Sequence, residues 1–137
     1  MISIILMAIS AGIIFLLGLA HIVFTFWGPK LKPRDLNLQT AMENSNLVIT
    51  SEISMWQAWI GFNASHSMGA MLFGLIFGYL ATTHSELFFQ STFLVAVGLA
   101  MLGGLFFLAK TFWFRVPYLG ITISLAFYVA SLVSYHV

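Results

Sequence analysis

No cysteine occurs in the 137 residues, which excludes disulfides, thiolate metal sites, thiol nucleophiles and S-palmitoylation. Charge is nearly as scarce: Asp, Glu, Lys and Arg make up 7% of the chain, against 61% apolar residues. A chain this apolar lacks the polar surface to cover a water-soluble domain. The formal net charge of +1 offers no electrostatic footprint for nucleic acid, so no nucleic-acid partner is expected. Enzyme signatures are missing too: there is no G-x-S-x-G, no H-E-x-x-H and no phosphate-binding glycine loop. The acidic residues Asp35, Glu43, Glu52 and Glu86 all fall in loops or at helix starts, so no carboxylate pair lies within an apolar run.

What the chain does contain is four long apolar runs. The spans are expected at about 4–27, 55–82, 88–113 and 118–135, each long enough to cross a bilayer hydrocarbon core of about 30 Å. The fold class is therefore all-α: a single integral membrane domain over 1–137, arranged as a four-transmembrane-helix bundle. The first run lacks a basic n-region and a clean small-residue cleavage site, so a retained helix is expected rather than a signal peptide. Its end is marked by Gly28-Pro29, a helix breaker.

The five basic residues, Lys30, Lys32, Arg34, Lys110 and Arg115, all lie on one side of this topology. Cytoplasmic loops retain positive charge, so the expectation is N- and C-termini outside and the basic loops inside. Trp27, Trp56, Trp59 and Trp113 fall near that same boundary, as an aromatic belt would. Pro33-Arg34-Asp35 predicts a short helix to about Asn44, lying along the inner interface with Leu36, Leu38 and Met42 as apolar contacts. Ser51 or Ser54 is the expected N-cap of the second span, with Glu52 in its first turn. Thr83 to Leu87 reads as an outer loop, and Arg115-Val116-Pro117 as a tight inner turn. A faint repeat at an offset of 86 matches Gly12, Leu16, Gly18, Leu19 and 25–27 to Gly98, Leu102, Gly104, Leu105 and 111–113.

Lipid is as apolar as leucine, so such helices associate by close packing and interhelical hydrogen bonds. Small residues recur four apart in three series: Gly61, Ser65 and Gly69; Ala70, Gly74 and Gly78; and Ala96, Ala100 and Gly104. Each series makes a groove on one helix face. Internal contacts between spans are the first expectation, and docking of a partner subunit the second.

The most polar stretch within any span surrounds Asn63 and His66, three residues apart on the face that carries Trp59. Polar groups at membrane depth are expensive unless paired, so they call for an explanation. Span one offers Gly18, His21 and Thr25 on one side. At about 1.5 Å per residue, His21 lies roughly 9 Å from the inner end of its span, Asn63 roughly 12 Å and His66 roughly 16 Å. A His21–Asn63 hydrogen bond is expected, with His66 deeper and Thr122 and Ser124 of span four able to extend the layer. Three readings remain open. The residues are interhelical glue; or His21 and His66 are axial ligands of haem b; or they form a quinone-like, small-solute or proton-handling site. No metal site is expected, since His21, His66 and Asn63 are a poor ligand set.

The run 55–69, with Gly18-Leu19-Ala20-His21 and Thr25-Phe26-Trp27-Gly28 before it, carries the pattern W-x-A-W-x-G-F-N-x-S-H-S-x-G. It resembles an uncharacterised family of small bacterial four-span membrane proteins over nearly the whole chain, including Lys110 and the Arg115-to-Pro117 turn. The resemblance implies a bacterial inner-membrane location and a shared His21/Asn63/His66 pattern, and it brings no activity. A bundle of four short-looped helices presents little water-exposed machinery, so the leading expectation is non-enzymatic: an accessory subunit of a larger membrane complex, or a homo-oligomer, in contact with the lipid bilayer.

Overall fold

The computed structural model describes residues 1–136; Val137 lies outside them. Helices dominate: α1 (Ile2–Phe26), α2 (Leu36–Asn44), α3 (Met55–Thr83), α4 (Ser85–Gln90), α5 (Thr92–Phe112) and α6 (Arg115–His136), with two short strands, β1 (Asn46–Leu47) and β2 (Thr50–Ser54), between α2 and α3. By length and composition α1, α3, α5 and α6 are each able to cross a membrane.

The helix ends follow from local chemistry. No proline or charge interrupts α1, and Gly28, with φ +87°, takes the left-handed conformation that closes a helix without a Cβ clash. Asp35 caps α2 by accepting from the Asn37 N–H. At α3, Ser54 Oγ accepts from Gln57 N–H while Gln57 Oε1 accepts from Ser54 N–H, a reciprocal box that satisfies two otherwise orphan donors.

Three boundaries differ from the sequence reading. Glu52 lies in β2, not in the first turn of α3, because 46–54 fold back as an antiparallel ribbon. The third span begins at Thr92 rather than Phe88. Residues 85–90 form the separate helix α4, which buries Phe88 and Phe89, and Ser91 restarts the chain by accepting from Leu94 N–H. Finally, α6 begins at Arg115. Pro117 sits inside its first turn, where a missing N–H leaves no helical bond unmade.

The chain divides into two compact units, one of residues 1–17 and 70–137 and one of 18–69; α1 and α3 each contribute a segment to both. In the first unit Ser3, Met7, Ser10, Ala11 and Ile14 form the buried stripe of α1 at helical spacing. Phe77, Phe88 and Tyr128 meet at its centre with ring centroids 5.6 to 6.5 Å apart. Gly74 lets α3 lie close against the backbone of α1: a Cβ there would come within 2.6 Å of the Ala11 carbonyl oxygen and 2.7 Å of Phe15 Cβ. The Ala70, Gly74 and Gly78 series thus faces α1. Gly98 is covered by the ring of Tyr128, whose O–H donates to Val95 O at 3.0 Å.

In the second unit, Lys30 Nζ lies 3.9 Å from the centroid of the Phe24 ring, a cation–π contact. The indole N–H of Trp59 donates to Leu31 O at 3.2 Å and ties the segment after α1 to α3. Helix α2 buries none of its residues, and Val48 and Ile49 at the ribbon tip are fully exposed.

Candidate functional site

Helix α1 carries Gly18, His21 and Thr25 on one face, three and four residues apart, and α3 carries Asn63, His66 and Ser67. His21 Nε2 lies 2.9 Å from Asn63 Oδ1. The oxygen accepts only, so Nε2 bears the proton and donates. The amide orientation is fixed by its other end, because Asn63 Nδ2 donates to Trp59 O at 2.8 Å. Ser67 Oγ donates to Asn63 O, and Thr25 Oγ1 to His21 O, each at 2.8 Å. Thr25, Asn63 and Ser67 are buried, so each hydroxyl and amide that leaves water gains a partner, as the high cost of an unpaired buried polar group demands.

His66 joins the layer through its ring. Its centroid is 5.5 Å from that of His21, with the planes at 83°, an edge-to-face contact. The axial offset inferred from residue spacing therefore does not separate the imidazoles. Asn63 and His66 are less than one helical turn apart, and the His21 ring contacts both. Thr25 stands one turn along and bonds only to its own helix. Trp59 takes part through its carbonyl; its indole points to Leu31 instead.

The hydroxyls of Thr122 and Ser124 on α6 find partners within their own unit. Thr122 Oγ1 donates to Tyr118 O at 2.7 Å. Ser124 pairs with Ser10 in that unit: Ser10 Oγ donates to Ser124 O at 2.8 Å, Ser124 Oγ to Ser10 O at 2.9 Å, and the two Oγ atoms are 2.9 Å apart. Sequence reasoning missed Ser10. The signal was its place on the stripe of Ser3, Met7 and Ile14, a hydroxyl at a position that otherwise demands an apolar side chain.

The small-residue series divide in their use. Ala70 and Gly74 are buried, whereas Gly61, Ser65, Gly69, Ala96, Ala100 and Gly104 are exposed. A Cβ built on Gly61, Gly69 or Gly104 would meet no atom within 4 Å. Helix α5 turns Gly98, Leu102, Leu105 and Ala109 inward instead.

Among the described residues, no three His, Cys, Asp or Glu side chains converge to hold a metal ion. The two imidazoles meet edge to face, 5.5 Å between centroids. An axial role for His21 through Nε2 would require it to leave Asn63. Comparison of the chain with models of known protein families, with curated proteins and with solved structures finds no match.

Proposed function

We propose that this protein is a non-enzymatic, multi-pass membrane component that acts through lateral helix contacts, as an accessory subunit of a larger membrane complex or as a homo-oligomer. One observation carries the reading. The faces of Gly61, Ser65 and Gly69 on α3, and of Ala96, Ala100 and Gly104 on α5, are left open while the related series at Gly74 is filled. Small residues at this interval let helix backbones approach closely, which is where association in lipid finds its contact energy. The many exposed large apolar side chains of the long helices, among them Leu72, Leu75, Phe93 and Phe107, suit a hydrocarbon surround.

In this reading the loops bearing Lys30, Lys32, Arg34, Lys110 and Arg115 face the cytosol of a bacterial cell and both termini lie across the inner membrane from them. Helix α2 lies in the inner interface, its exposed Leu36 and Leu38 against lipid.

The absence of native cysteine makes the test direct. Single Ser65→Cys and Ala100→Cys chains should form cross-linked adducts in native membranes, and Leu72→Cys should not. Gly61→Leu with Gly69→Leu should abolish the Ser65→Cys adduct. No adduct at either 65 or 100, in membranes where the protein is intact, would remove the proposal.

A second reading draws on the His21–His66 contact, since two imidazoles at membrane depth can serve a lipophilic ligand, haem b or a proton path. An absorption spectrum of the purified protein distinguishes it: a Soret band lost in His66→Ala would favour haem over helix packing. For the proton path, His66→Gln should abolish flux in proteoliposomes while leaving the fold intact.

A further inference from the structure

The turn from α5 to α6 holds an open surface pocket of about 310 Å³ lined by Ala109, Lys110, Trp113, Phe114, Arg115 and Tyr118. Its two cations stand five residues apart across a two-residue link, Lys110 in the last turn of α5 and Arg115 at the first residue of α6. The walls between them are aromatic, and Tyr118 is held by the Phe106 ring at 5.6 Å. No ion pair engages Lys110 or Arg115 among the described residues. Within the unit of 1–17 and 70–136 the one carboxylate side chain is Glu86, in α4, which precedes the end of α5 opposite Lys110; α5 itself rises about 27 Å from Thr92 to Lys110.

We propose that this pocket binds a phosphate-bearing anion, with the headgroup of an anionic phospholipid as its source. Lys110 and Arg115 are both exposed at this pocket, and an anion seated there would be attracted by both charges. Arg115 supplies a planar fork matched to two phosphate oxygens, and Lys110 a point charge on a flexible stem. Helix α6 is 22 residues long, so the partial positive charge at its N-terminus adds to the same field. A basic pocket where two apolar helices meet is a chemistry suited to lipid headgroups. Trp113, Phe114 and Tyr118 supply an amphipathic wall for the glycerol portion. The choice of lipid over a soluble phosphate rests on the membrane reading above; the phosphate site itself does not.

The test is native mass spectrometry of the full chain released from detergent, with phosphatidylglycerol or phosphatidylcholine of identical acyl chains added. Phosphatidylglycerol should be retained preferentially. The double change Lys110→Gln with Arg115→Gln should lower its retention about tenfold, Arg115→Lys should give an intermediate value, and Lys30→Gln with Lys32→Gln should leave it unchanged. A second arm uses inorganic phosphate and glycerol 3-phosphate. If these bind as well, with the same dependence on Lys110 and Arg115, the phosphate site stands and its source is soluble. Equal retention of both lipids, no response to the Lys110 and Arg115 changes, or equal loss on changing Lys30 and Lys32 would each overturn the proposal. A chain that stays dispersed without detergent would instead defeat the membrane reading, which separates the two failures. Arg115→Lys keeps the charge, so its result stands even if the double variant fails to fold.

Discussion

Residues 1–17 and 70–136 hold every buried apolar side chain among the described residues, from Met7 on α1 to Tyr128 on α6. Residues 18–69 bury Thr25, Asn63 and Ser67, along with Gly18, and no large apolar side chain. The first unit combines close fit, at Gly74 against α1 and Gly98 under Tyr128, with the Ser10–Ser124 bonds, whereas the second has no buried apolar side chain and relies on hydrogen bonds whose donors and acceptors must align. Polar contacts between helices are individually modest even where water is absent, because the separated helices find other partners. The second unit is therefore the one whose contacts should be easier to remove singly.

The sharpest way to break this contrast is at Gly74. In Gly74→Val the new side chain meets the backbone of α1 at Ala11 and Phe15, which cannot rotate aside. A loss of about 3 kcal/mol is expected, read as a lower midpoint of reversible unfolding in mixed SDS micelles. Gly98→Ala comes next: its Cβ would strike the Tyr128 hydroxyl and approach Phe77, so about 2 kcal/mol should be lost as the ring is displaced. Tyr128→Phe, which removes only the bond to Val95 O, should lose about 1 kcal/mol. If Tyr128→Phe matched Gly98→Ala, the hydrogen bond rather than the fit would govern that unit.

In the second unit, Asn63→Leu strands the His21 N–H and removes the second donor to the Trp59 carbonyl; about 1 to 2 kcal/mol should be lost. A double-mutant cycle with His21→Leu should give a coupling of about 0.6 to 1.7 kcal/mol. A coupling near zero would mean that the two side chains merely lie side by side. The smallest effect is assigned to Gly61→Ala, which gains a methyl in open space and should change stability by less than about 0.5 kcal/mol. That substitution leaves the fold alone and isolates any loss of lateral association.

Much of this was legible in the chain. Long uninterrupted apolar runs leave a helix as the only way to satisfy their backbones in lipid, so the existence of α1, α3, α5 and α6 followed from composition alone. The His21–Asn63 bond followed from rise per residue, because two helices that end near one surface place equal counts at equal depth. The ribbon of β1 and β2 was hidden: Val48 and Ile49 stand at its tip, where a glycine or asparagine would have signalled a turn. The break before α5 was hidden as well, since no proline or glycine lies between His84 and Ser91. Ser124 was assigned to the wrong neighbours because depth fixes a layer but not which helices share it. The faint repeat illustrates the same limit. Thr25 is buried and Thr111 exposed, and Gly98 is buried where its counterpart Gly12 is not, so matched letters occupy unlike surroundings.

The serine pair between α1 and α6 has an arithmetic of its own. Three oxygen-to-oxygen approaches of 2.8 to 2.9 Å are served by two hydroxyl hydrogens, so at any instant one approach is bridged by lone pairs alone or one hydrogen is shared. The two arrangements in which one hydroxyl points at the other differ only in which serine donates, so the hydrogens can trade places by rotation about single bonds while both helices stay still. A crossing built this way keeps some rotational freedom inside an otherwise rigid junction, and neither group can ionise to disturb it.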